Sequence, residues 1–239
     1  MKPINSLLVQ SVIAAFGILV GNTSHAAVIF NNGLPDLQNG FDISSLIAAE
    51  DFTLGVQTTI TDIRFWSLEG TGFFSGYTGS ITWQIYSNAG NTPGVLLASG
   101  TTSAVTQALT GRELITYTAL YESQNDFSVG SVLLDPGTYW LGLHNGPLST
   151  IPTSGGDEFY WETTSPNSTF GSRYDSAPFG DNVWDETVGI QRAFQISGIT
   201  SVPEPSTLAL FSLGGLAFIR YKGMNLAGRS RKSDQTQPA

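Results

Sequence analysis

The acidic side chains are the first place to look for chemistry in this chain. Glu158 and Glu162 stand four residues apart in the run Asp157-Glu-Phe-Tyr-Trp-Glu162. On an extended strand, residues i and i+4 share a face about 13 Å apart. Glycoside hydrolysis sets its two carboxyl groups roughly 5–10 Å apart, so these two alone do not make a pair, although another acid could complete one across a sheet. A Ser-His-acid relay has to run through His144, because the chain has 2 His and the other, His25, falls in an N-terminal export segment. No Gly-x-Ser-x-Gly elbow leads into a helix, and a lone histidine at a strand end more simply serves as a hydrogen-bonding residue. With 0 Cys, a thiol nucleophile, a thiolate metal site and a disulfide framework are all excluded. The chain is expected to be non-enzymatic, with no required cofactor.

Two binding chemistries remain. Asp175, Asp181, Asn182, Asp185 and Glu186 cluster in a stretch of loop composition, and calcium takes such hard oxygen ligands. Their spacing lacks the Gly at position six and the Glu at position twelve of an EF-hand loop, and a solvated acidic loop accounts for them equally. Glycan binding would rest on the 5 Trp, since sugar faces stack on exposed indoles. Trp83 alternates with Ile81 and Ile85 and belongs to a core face. Trp140 faces away from Tyr139, Leu141 and Leu143, with His144 further along its own face, while Trp161 and Trp184 stand beside polar loops. Trp140, Trp161 and Trp184 with His144 could form a carbohydrate platform. Buried indoles are equally common in packed β-proteins. Asn167-Ser-Thr169 fits a glycosylation acceptor, a pattern short enough to arise by chance.

Short strands have to position these side chains. Runs rich in Ile, Val, Thr, Tyr, Phe and Trp alternate with Gly, Pro, Asn, Asp and Ser clusters. The pattern predicts strands over residues 48–54, 59–67, 81–85, 95–102, 114–121, 127–134, 139–144, 158–163, 168–174 and 190–198. Asn88-Ala-Gly-Asn-Thr-Pro-Gly94 and Asp135-Pro-Gly137 supply turns at hairpin spacing. Tracts at 71–80 and 146–156 read as long loops. No window shows a helical period, and no repeat of 20–50 residues is present. The expected fold is all-β: a single antiparallel β-sandwich, jelly-roll-like, over residues 27–199.

Both ends read as addresses. Lys2, the apolar run 7–20 and Ser24-His25-Ala26 make a secretory signal peptide over residues 1–26, with a cut before Ala27. At the other end, Val202-Pro203-Glu204-Pro205 fixes an extended backbone, because proline restricts itself and the residue before it. An apolar stretch, 206–219, follows, and then Arg220-Tyr221-Lys222, cations that stay cytoplasmic when the stretch enters a membrane. Fourteen helical residues reach about 21 Å, short of the ~30 Å hydrocarbon core, a gap that snorkelling of Arg220 and Lys222 narrows. Residues 223–239 form a polar, disordered tail.

Charge follows the same division. The body between residues 27 and 200 holds 17 Asp and Glu against four Arg and no Lys, a net charge of −13, whereas residues 220–232 hold five cations and no acid. So acidic a body opposes phosphate binding and excludes a nucleic-acid partner.

Residues 200–222, with Val202-Pro-Glu-Pro-Ser206, the apolar helix and the basic end, resemble a PEP-CTERM sorting signal. The resemblance implies a Gram-negative source that makes exopolysaccharide and processing by a membrane enzyme, an exosortase. In it, Val202, Pro203, Glu204 and Pro205 serve recognition, and Arg220 and Lys222 the cytoplasmic stop. The body also resembles a sandwich module found ahead of such signals, through Asp51-Phe-Thr-Leu54, Ile63-Arg-Phe-Trp66, Pro93-Gly-Val-Leu-Leu-Ala-Ser99 and Gly137-Thr-Tyr-Trp-Leu141. The expected function is that of a structural or adhesive protein exported to the cell envelope or exopolysaccharide matrix. The alternatives are a carbohydrate-binding module, with or without calcium, and a glycan-active hydrolase.

Overall fold

Alternation along residues 137–145 puts Tyr139, Leu141 and Leu143 on one side of a strand, and this face becomes the floor of the core. The computed structural model describes residues 26–70, 76–115, 119–149, 159–165, 171–176, 183–187 and 189–200. Their regular elements are all strands: β1 Ala27–Asn31, β2 Pro35–Asp42, β3 Leu46–Leu54, β4 Thr58–Glu69, β5 Ile81–Asn88, β6 Pro93–Thr102, β7 Val105–Ile115, β8 Ala119–Leu134, β9 Gly137–Asn145, β10 Phe159–Thr164, β11 Ser172–Ser176, β12 Asp185–Thr187, β13 Gln191–Arg192 and β14 Phe194–Thr200. The expected signal peptide, apolar C-terminal helix and polar tail lie outside the described residues. Among those described, no helix is long and apolar enough to cross a membrane.

The strands form two antiparallel sheets. One has six strands in the order β12-β11-β3-β9-β5-β6. The other has eight strands organised around β4. One edge of β4 pairs with β8, which pairs in turn with β7. Its other edge is shared: Thr58–Phe65 pair with β14, which carries β1, and Ser67–Glu69 pair with β10, which carries β2 and β13. Twelve residues make β4 long enough to hold two neighbours on one side.

Both sheets contribute to one core. Phe52, Leu141 and Leu143 of the six-stranded sheet and Phe65, Phe127, Trp161, Phe194 and Ile196 of the eight-stranded sheet belong to the same buried cluster. Phe30 of β1 meets Phe52 of β3 at 6.0 Å, and Phe65 meets Trp161 edge-on at 6.3 Å. Edge-on packing suits the ring quadrupoles, and each buried ring removes roughly 150–250 Å² from water. Trp83 lies in this core, as its alternation predicted, over Gly100 of the paired strand β6. A methyl at Gly100 would sit 2.8 Å from the Trp83 ring, so only glycine fits beneath the indole.

The strands depart from the expected pattern at several places, and β1 and β12 fall on runs that the pattern did not assign. The run expected at 114–121 straddles the end of β7 and the start of β8, and that expected at 190–198 is divided between β13 and β14. β7 exists although Gly111, at φ 81°, and Arg112 interrupt its pattern, because it pairs along β8. β2 carries turn-forming Pro35, Asp36, Asn39 and Gly40, yet pairing with β10 draws it into the sheet.

Candidate functional site

On the face of the six-stranded sheet turned away from the core, Trp140, Tyr86 and Ala49 form a second buried cluster, against which Trp184 packs. Trp140 pairs across β9 and β5 with Tyr86, and the Tyr86 ring meets Trp184 edge-on at 5.3 Å. Trp140 is fully enclosed, donates from Nε1 to Asn88 Oδ1 at 3.0 Å, and has the Arg173 guanidinium 5.8 Å from its ring centre. Arg173 is fixed in turn by the Asn91 carbonyl at 2.8 Å and by Glu186 at 3.1 Å. Burial, with Asp175 nearby, pushes the Tyr86 hydroxyl well above its usual range.

The expected carbohydrate platform does not assemble here. Trp161 lies in the core between the sheets and donates from Nε1 to the Ala193 carbonyl at 2.9 Å. It is therefore on the opposite side of the six-stranded sheet from Trp140 and Trp184. Trp140 and Trp161 are both 0% exposed, so neither presents an indole face to a sugar. His144 does share the Trp140 face, but it too is enclosed, with Nδ1 3.0 Å from the Gly146 carbonyl. Its burial lowers the imidazole pKa. The alternation was read correctly; what it could not show is that the outer face is covered.

The acids proposed for calcium do not gather into one site among the described residues either. Asp175 is buried on β11, while Asp185 and Glu186 are exposed on β12, where Glu186 already faces the Arg173 cation. Asp181 and Asn182 lie outside the described residues. No group of three or more potential metal-ligating side chains occurs among the described residues.

The acid chemistry sits elsewhere. Glu158 lies outside the described residues, but Glu162 has an acidic partner across the sheet. Glu122 on β8 and Glu162 on β10 flank β4 on its outer face, and their carboxyl groups are hydrogen-bonded to one another. Both are enclosed. Glu162 Oε1 accepts from the Leu37 N–H at 2.8 Å, and Arg112 Nη2 stands 3.3 Å from Glu122 Oε2 while also bonding the Pro35 carbonyl. Burial first, then the Glu122 charge and hydrogen bond, push Glu162 up to about 9, so Glu162 keeps its proton at neutral pH. Leu37 adopts φ 57°, a left-handed backbone that a leucine holds only against steric strain, and this conformation delivers its N–H to the carboxyl.

Two further carboxyls face inward. Glu69 accepts from Ser67 Oγ at 3.1 Å and Gln107 Nε2 at 3.3 Å, and burial raises it to about 7. Glu50 accepts from the Arg192 N–H at 2.9 Å and from Ser172 Oγ, and burial raises it to about 8. Sequence reasoning passed over Glu50, Glu69 and Glu122. The available signal was their placement within strand patterns on sides that also carry large apolar residues.

Downstream of all these clusters, β14 ends at Thr200. The residues that follow decide the assignment. Residues 201–222 match the PEP-CTERM protein-sorting motif. A PEP-CTERM motif implies an exported, envelope-associated protein that is processed by an exosortase, as the resemblance in residues 200–222 implied. Val202, Pro203, Glu204, Pro205, Arg220 and Lys222 all fall inside the matched segment, which lies outside the described residues. No curated protein and no solved structure matches the chain.

Proposed function

We propose that this PEP-CTERM protein is a non-catalytic structural or adhesive component of the cell envelope or exopolysaccharide matrix, working without a cofactor. The observation that carries the reading is the position of the sorting motif. It begins one residue after the last strand, so processing within or beyond it leaves β1–β14 whole. The opposite end agrees, because β1 starts at Ala27, the residue expected after signal-peptide cleavage. Two sheets over one core support a jelly-roll-like sandwich as the delivered body. The buried acids support a structural role, since Glu122, Glu162, Glu50 and Glu69 are directed at one another or at backbone and side-chain donors. Enclosure of Trp140 and Trp161 removes the main support for a glycan platform.

The full chain, expressed in an exosortase-containing host, tests this. Expected are recovery of a shortened chain in the envelope or matrix fraction and no release of reducing ends from a broad polysaccharide panel. Replacing Pro203, Glu204 and Pro205 together by Ala is expected to leave the C-terminus uncut, read by intact-protein mass spectrometry. Sugar release by the wild-type chain overturns the non-catalytic reading, and normal processing of the triple variant overturns the sorting assignment.

A further inference from the structure

Arg192 is among the largest fully buried side chains of the molecule and lies between the two sheets. Its guanidinium carbon is 4.4 Å from the centre of the Phe41 ring and 5.7 Å from that of Trp161. These rings stabilise the cation through their faces but accept none of its hydrogen bonds. Nε, Nη1 and Nη2 are all buried without a hydrogen-bond partner. A guanidinium carries five N–H donors and cannot shed its charge near neutral pH. Even with burial lowering it, Arg192 titrates only at about 10.

Glu50 is the acid whose charge acts on Arg192, yet it does not serve the guanidinium edge. Its Oε2 is taken up by the Arg192 backbone N–H and by Ser172, and its Oε1 is buried without a partner. Burial raises Glu50 to about 8, which weakens the compensation this acid offers the cation. The guanidinium therefore meets no hydrogen-bond acceptor among the described residues.

A neutral acceptor such as water would satisfy hydrogen bonds and leave the charge. An anion satisfies both. Arg192, Glu50, Ser172 and Trp161 are each 0% exposed, which shuts out a sugar, a phosphate ester or any ligand that must remain partly in solvent. We infer that the interior between the two sheets takes up one small halide-class anion, chloride in practice, against the guanidinium of Arg192. The anion is bound on folding and lost on unfolding, because the site is built from β2, β3, β10, β11 and β13 together.

The test is linkage in the full chain. Urea unfolding is followed at pH 7 while chloride replaces gluconate at constant ionic strength. A ligand bound by the folded state alone lowers the unfolding constant tenfold for each tenfold rise in its concentration above the dissociation constant. That dependence is expected with chloride and bromide, and it is expected to vanish in Arg192→Met, which fills the aromatic slot without charge. Glu50→Gln removes the neighbouring acid, leaves the guanidinium in place and retains the dependence. Should Arg192→Met fail to fold, bromide-soaked crystals of the wild type decide, through an anomalous peak within hydrogen-bonding distance of the guanidinium. A chloride-independent wild type, equal dependence in wild type and Arg192→Met, or water at that position overturns the inference.

Discussion

Replacing Glu162 by Gln keeps the shape of the side chain and removes its proton chemistry. In the native protein the Glu162 carboxyl keeps its proton beside Glu122 and accepts the Leu37 N–H at 2.8 Å. A glutamine retains both contacts, with Nε2 donating toward Glu122 and Oε1 accepting from Leu37. What changes is the coupling of folding to pH. Glu162 titrates at about 9 in the folded protein, against 4.5 for an exposed carboxyl. Between those values the folded state holds one proton more than the unfolded chain, so native stability falls as pH rises and levels off beyond about 9. The slope from a single group is at most about 1.4 kcal/mol per pH unit. Glu162→Gln is therefore expected to match wild type near pH 4.5 and to become progressively more stable above it. The gap grows by at most about 3 kcal/mol between pH 6 and pH 8. Urea unfolding monitored by tryptophan fluorescence at pH 5, 6, 7 and 8 measures it. A gap that stays constant within about 0.5 kcal/mol over that range refutes the raised Glu162. Wild type keeps a falling profile in either case, because Glu50 and Glu69 titrate at about 8 and about 7 and act in the same direction.

Other perturbations separate the parts of the fold. Trp161→Ala opens the core between the sheets and is expected to cost about 3–5 kcal/mol in urea unfolding. Trp184→Ala, at a half-buried position on the outer face, is expected to cost clearly less than that; equal losses would contradict the placement of the two indoles. Gly100→Val forces a side chain into the Trp83 ring and is expected to lower stability by about 1–3 kcal/mol, with a changed near-UV tryptophan signal. Arg64→Ala removes a surface ion pair with Asp126 at 2.6 Å and is expected to cost under about 1 kcal/mol, an effect that shrinks with added salt.

The sequence was most informative where one physical rule acted alone. Period-two alternation assigned Leu141, Leu143 and Trp83 to the core, and two prolines around Glu204 marked the sorting segment. It was least informative where two layers had to be known together. Trp140 and Trp161 look alike in a single strand, each one preceded by a tyrosine in a run of strand-forming residues. One ends beneath Trp184 on an outer face and the other against Phe194 between the sheets. Nor does local pattern announce Glu122 as the partner of Glu162, forty residues away in sequence and one strand apart in space.

The same limit explains the charge of the body. A net −13 implies strong self-repulsion only if every carboxyl is ionised. Three of the 17 acids, Glu50, Glu69 and Glu162, are enclosed and raised to about 8, about 7 and about 9, so near neutrality they hold part or all of a proton each. Above pH 9 these protons leave, and the repulsion implied by composition develops inside the protein rather than across its surface. A protein built this way loses native stability as pH rises through the range 5–9, an alkaline sensitivity set by buried glutamates and not by its exposed acids.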